Sequence, residues 1–123
     1  MSRQTSQAIE LQKRLIAFAN RIVDLSTKLP RTLQGRHIAA QILRSGTAAA
    51  ANYGEARGAE SRSDFIHKLR VVLKELNETS VWLQLIAEAA LISPPTIATI
   101  VAENQELCRI IAASVRTARG SAG

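Results

Sequence analysis

Residues 44–83 read RSGTAAAANYGEARGAESRSDFIHKLRVVLKELNETSVWL, and this stretch decides the fold. Gly46, Ala50, Gly54 and Gly58 recur every four residues, the spacing of an i, i+4 ridge with almost no side-chain volume, which a second helix can approach closely. Each glycine inside a helix costs about 1 kcal/mol relative to alanine, so the repetition needs a compensating reason. Close packing is that reason for Gly46; for Gly54 and Gly58 packing and a helix end both fit. A break at residues 57–60 leads to Ser61-Arg62-Ser63-Asp64, whose Ser-x-x-Asp spacing satisfies free amides at a helix start. The helix beyond it, about 63–91, carries Phe65, Leu69, Val72, Leu76, Thr79, Leu83 and Ile86 at alternating steps of four and three. At about 1.5 Å per residue it runs to roughly 40 Å. Val71, Glu75, Glu78 and Trp82 share one flank, while His67, Arg70 and Lys74 share the outer face.

Upstream, a helix over about 33–56 turns Ile38, Ala39, Ile42, Leu43, Gly46, Ala49, Ala50 and Tyr53 inward, with His37, Gln41, Arg44 and Glu55 on its polar edge. Before it, about 5–29, Leu11, Leu15, Phe18, Ile22, Leu25 and Leu29 form a bundle seam that Pro30 ends. Downstream, Ser93-Pro94-Pro95 marks the last start, serine as cap and proline where a missing amide does no harm. Ile97, Ile100, Val101, Asn104, Cys108, Ile111, Val115 and Ala118 are the expected seam of a helix over about 94–118, with Asn104 a polar register point. Four amphipathic helices on short connections make an all-α, antiparallel up-down-up-down four-helix bundle, one domain over residues 1–123. No strand pattern competes with it.

Composition agrees. Phe18, Phe65, Tyr53 and Trp82 are the only aromatics in 123 residues, so Ala, Leu and Ile must build the interior, as in a bundle. The single cysteine, Cys108, excludes an intramolecular disulfide framework, and no cationic start followed by an apolar core reads as a secretion signal. The location expected is cytoplasmic. The longest apolar run, Val81 to Ile92, is interrupted by Gln84 and Glu88 and falls short of the roughly 20 residues of a membrane span.

Two further stripes on the first helix bear on function. Ile9, Ile16 and Val23 lie roughly 120 to 160° from the seam, where one core does not easily cover both sets; a contact between copies of the chain is expected there, the alternative being a broad buried face shared by two neighbouring helices. Arg14, Arg21 and Lys28 repeat every seven residues on the other flank, with Glu10 and Asp24 four residues before Arg14 and Lys28. Glu75 and Glu78 of the third helix are expected to meet that basic flank.

Arg44-Ser45-Gly46-Thr47, Ala50-Ala51-Asn52-Tyr53 with Glu55, Asp64-Phe65-Ile66-His67-Lys68-Leu69, Leu73-Lys74-Glu75 and Glu78-Thr79 with Trp82-Leu83 together carry a specific likeness. The chain resembles the bacterial four-helix-bundle family whose members include proteins encoded in intervening sequences of large-subunit ribosomal RNA. The likeness covers roughly residues 11–115. It implies a cytosolic protomer that assembles into a homopentameric ring, and it carries no catalytic role. A distant branch, the accessory variability determinant proteins of diversity-generating retroelements, is similar in fold and uses a basic ring to contact nucleic acid and a reverse transcriptase; clear marks of that branch are lacking.

Chemistry finds little purchase. Asp64-x-x-His67 has half the spacing of a carboxylate-bridged metal site, without the second copy and further carboxylates it needs. Asp64 reads as a helix-start carboxylate and His67 as solvent-facing. Glu75 and Glu78 have no histidine or nucleophile on their stripe, so ion pairing is expected of them. Cys108 reads as a small buried apolar side chain, and neither a phosphate loop nor zinc spacing appears. No enzyme activity, cofactor or metal is expected. Sixteen basic against ten acidic side chains give a formal charge of +6, which attracts RNA or DNA backbone. Arg14, Arg21, Lys28, Arg44, Lys68, Arg70 and Lys74 are the candidate phosphate-binding residues of an oligomeric scaffold. The alternative is a protein-interaction module without nucleic-acid binding, in which acids engage those cations. The expected partners are therefore copies of itself, nucleic acid or another protein, with no membrane.

Overall fold

The computed structural model describes the backbone of residues 3–120 and the side chains of residues 6–120. Helices α1 (Arg3–Lys28), α2 (Leu33–Arg57), α3 (Arg62–Glu88) and α4 (Pro94–Gly120) form an up-down four-helix bundle. Each helix packs extensively on the next in sequence, whereas α1 and α4 meet only sparsely along the seam that closes the bundle.

Local chemistry sets the boundaries. The Thr32 side chain accepts the Gly35 amide at 3.0 Å to start α2, and Ser61 accepts the Asp64 amide at 3.1 Å to start α3, as the spacing predicts. At α4 the serine acts differently. Its carbonyl accepts the Thr96 and Ile97 amides, both at 3.1 Å, while its hydroxyl donates to Thr96 Oγ1.

The end of α3 departs from the expected residue 91. Ala90 adopts a left-handed conformation (φ 53°), its amide reaching Ala87 O and the Leu91 amide reaching Ile86 O. That bond pair stops the helix at Glu88 and returns Leu91 against the core. Alanine there pays a steric penalty that glycine would avoid.

Leu15, Phe18, Ile22 and Leu25 of α1 and Leu29 just beyond it are buried with Leu69, Val72, Leu76, Thr79, Leu83 and Ile86 of α3, along the expected seams. Two seams shift. On α2, Ser45 rather than Leu43 turns inward, and Leu43 is 38% exposed. On α4, Leu107 fills the core, whereas Cys108 is half-buried on the flank. Ser45 is tolerated inside because its hydroxyl meets Thr79 Oγ1 at 2.8 Å, and Thr79 Oγ1 in turn donates to Glu75 O at 2.8 Å. With that proton committed, Ser45 is the donor of the pair.

Gly46 is a close-approach position. A Cβ there would lie 2.8 Å from Ile22 Cγ2 and 2.9 Å from Cγ1, so its absence lets α1 and α2 come together. Gly35 is tighter still, since a Cβ would lie 2.0 Å from the Pro30 carbonyl oxygen. Gly54, by contrast, has only the Gln12 side chain near it, and Gly58 caps α2; the four-residue repeat therefore serves packing at one end and helix termination at the other.

Candidate functional site

The second apolar stripe of α1 stays on the surface. Ile16 is 47% and Val23 42% exposed, and Ile9, nearer the helix start, is half-buried. Leu43, one turn before the Gly46 that packs on Ile22, is a further exposed apolar residue on α2. Val81 and Leu85 form a second exposed pair on α3. In an up-down bundle α1 and α3 are diagonal, so these two surfaces face away from one another.

The same diagonal separates the acids of α3 from the basic flank of α1, correcting the expected meeting. Arg14 instead reaches α4, where its Nε and Nη2 each donate to Glu103 at 2.8 Å in a two-pronged ion pair. The hydrogen bond from Arg14 holds the Glu103 carboxyl below the ordinary carboxylate range. Arg21 donates to Thr99 Oγ1 at 2.7 Å, and Lys28 pairs with Asp24 at 2.9 Å. Lys68 pairs with Glu55 at 3.4 Å. Arg70 and Lys74 are exposed and have no ion pair within 4.0 Å among the described residues.

Glu75 and Glu78 take Arg44 from α2. Arg44 Nη1 lies 3.3 Å from Glu75 Oε1, and Nη2 donates to Glu78 Oε2, the oxygen that also accepts Trp82 Nε1 at 3.1 Å. The Arg44 bond, followed by the Trp82 bond, lowers the Glu78 pKa. The His37 ring meets Trp82 edge-on, with centroids 5.9 Å apart. One α2–α3 face thus gathers a guanidinium, two carboxylates, an indole and an imidazole. Arg44, Glu75, Glu78 and the Trp82 N–H are engaged with one another, while His37 has only its ring contact with Trp82, which fits a clamp between helices better than an acid and base awaiting a substrate.

Inside the bundle, Asn104 is buried on the α4 seam, donating to Leu76 O at 3.1 Å and Ser80 Oγ at 2.5 Å. Cys108 Sγ faces Asn77 Oδ1 at 3.7 Å, and burial pushes its thiol pKa up, away from thiolate reactivity. Among the described residues no three His, Cys, Asp or Glu side chains are grouped to hold a metal ion, and no helix is long and apolar enough to cross a membrane.

A family model described as 23S rRNA-intervening sequence protein matches residues 7–113, most of all four helices. The chain belongs to that family. A solved relative of the intervening-sequence protein is described as a protein with unknown function from the S23 ribosomal protein family of Bacteroides thetaiotaomicron; it is 35% identical, with a TM-score of 0.83 over 89% of this chain and 97% of that one. No curated protein matches. The motif residues Arg44, Glu75, Glu78 and Trp82, scattered over 39 positions of the intervening-sequence family match, are the ones that meet in the α2–α3 clamp.

Proposed function

We propose that this intervening-sequence family protein is a non-enzymatic, cytoplasmic scaffold that associates with copies of itself and works by binding other proteins. The carrying observation is the exposure of Ile16 and Val23 on the back of α1. Removing the exposed remainder of each from water is worth about 1 kcal/mol. Association costs at least about 4 kcal/mol in lost freedom, so the interface must also take in Leu43, Val81 and Leu85. Because the α1 and α3 surfaces face opposite ways, one copy's α1 meets the next copy's α3. Such a head-to-tail contact closes into a ring when the rotation permits, and the five-membered ring implied by the family resemblance is the assembly proposed.

Engagement of Arg14, Lys28, Arg44 and Lys68 by carboxylates supports the protein-binding reading over phosphate capture. Sedimentation of the wild type against Ile16→Glu/Val23→Glu tests the assembly. The wild type is expected to sediment as an oligomer and the variant as a 13.3 kDa monomer; a wild type that remains monomeric at high micromolar concentration refutes it.

A second reading has support from Arg70 and Lys74, exposed one turn apart on α3 with no ion pair within 4.0 Å among the described residues, although Lys74 still feels the Glu78 charge. A ring would repeat that pair once per copy and contact RNA or DNA backbone without sequence preference. The 23S rRNA in the family's name makes single-stranded RNA the natural probe. Filter binding across salt decides: a steep fall in affinity supports backbone contact, and no binding at low salt rejects it.

A further inference from the structure

Where α1 begins and α4 finishes, the sparse seam between them opens into a groove of about 1750 Å³. Small-molecule sites occupy roughly 300–1,000 Å³, so this one is of peptide size. Leu11, Tyr53, Phe65 and Ile110 contribute apolar surface, and Glu10 is the only acid among the described lining residues, against Lys13, Arg14, Arg57 and Arg62. Glu103 takes up Arg14, and Glu10 lies 3.8 Å from Lys13. Arg57 has only the side-chain oxygen of Gln12, and Arg62 has no ion pair among the described residues. Positive charge on the rim is therefore left over.

Tyr53 supplies the second observation. The residue is buried at the groove, only 5% exposed, and its hydroxyl has no hydrogen-bond partner among the described residues. A buried tyrosine hydroxyl ordinarily finds a partner. Asn104 Oδ1 is the only fully enclosed side-chain polar atom without one among the described residues, so the Tyr53 oxygen keeps a path to the groove. It is a donor at the foot of an apolar slot with cations at its edge.

We infer that this groove docks an amphipathic helix of another protein, its apolar side entering between α1 and α4 and its acidic side chains meeting Arg57, Arg62 and the Tyr53 hydroxyl. A second copy of this chain is disfavoured as occupant because it brings a net charge of +6 to a basic rim. A phosphate backbone would satisfy the rim and leave the apolar walls wet. Ile16 and Val23 do not line the groove, so docking goes beyond the self-association reading and survives its failure.

Calorimetric titration tests this with an amphipathic Leu/Glu peptide of about 15 residues, roughly 22 Å of helix, a scrambled peptide of identical composition, and single-stranded RNA. The amphipathic peptide is expected to bind with micromolar affinity, and the scrambled one at least about tenfold more weakly. Tyr53→Phe keeps the buried ring and is expected to lose about threefold to tenfold; Arg57→Ser with Arg62→Ser, both on exposed side chains, loses about tenfold or more. The Ile16→Glu/Val23→Glu variant retains full peptide affinity if the groove acts within one protomer. Absence of peptide binding, equal binding of the scrambled peptide, indifference to the arginine pair, or displacement of the peptide by RNA each overturns the inference.

Discussion

Replacing Gly46 by alanine tests the α1–α2 contact on which the exposed apolar surface is mounted. The new Cβ would lie 2.8, 2.9 and 3.1 Å from Ile22 Cγ2, Cγ1 and Cβ, against an ordinary carbon separation of about 3.5–4.0 Å. Ile22 has no exposed surface into which to retreat, and a β-branched side chain in a helix has essentially one rotamer. Overpacking of this kind costs about 1–3 kcal/mol, while exchanging glycine for alanine in a helix returns about 1 kcal/mol. The net expectation is a loss of about 1 kcal/mol. Ile22→Ala alone removes two of the three obstructing atoms and costs about 2–5 kcal/mol. With the residue-22 Cβ still 3.1 Å away, Gly46→Ala in that background is expected to be about neutral, giving a coupling of about 1 kcal/mol. Urea unfolding of the four proteins at one fixed concentration measures the cycle. If Gly46→Ala stabilises the wild type, or changes stability equally in both backgrounds, the close-approach account of this glycine is wrong.

Ala90→Gly is expected to stabilise by about 1 kcal/mol, because the left-handed residue that stops α3 then lacks the clashing methyl; a lower urea midpoint would contradict that. Acid sensitivity follows from Glu78 and Glu103, both held below the ordinary carboxylate value of 4.5, chiefly by Arg44 and Arg14 respectively. Below that value the unfolded chain binds protons that the folded chain does not, so their contribution is complete at neutral pH and is lost as pH falls through the folded-state values. Glu103→Gln is accordingly expected to flatten the decline of the urea midpoint below about pH 4.5, and an unchanged slope refutes the assignment.

Helix number, order and most of the core could be read from periodicity because a seam such as Leu69, Val72, Leu76, Thr79, Leu83 and Ile86 needs only its own spacing to declare a buried face. The misplacements have local causes. Ser45 looks polar and Leu43 apolar, yet the hydroxyl of Thr79 across the interface makes the serine position the better buried one. Leu107 and Cys108 are adjacent and both apolar, so the α4 pattern accommodates either until α3 and α1 fix its rotation. The end of α3 went unrecognised because alanine occupies the conformation that glycine usually marks.

The functional surface was harder to read for a reason that lies in the topology. A helical repeat gives each side chain an angle about its own axis, and says nothing of which neighbour stands at that angle. Arg14, Arg21 and Lys28 were legible as one stripe, but only the bundle puts Glu103 and Thr99 before two of them and leaves α3 on the diagonal. Their charge is therefore partly consumed along the α1–α4 seam. The consequence reaches further than those three residues. The α1–α4 seam has few backbone contacts and is bridged by polar pairs, and at the end where α1 begins and α4 finishes Tyr53 and Phe65 line the groove. The excess of cations counted in the sequence is thus spread over distinct uses: ties across α1 and α4, the Arg44 clamp between α2 and α3, and a remainder at Arg57, Arg62, Arg70 and Lys74 with no ion pair within 4.0 Å among the described residues.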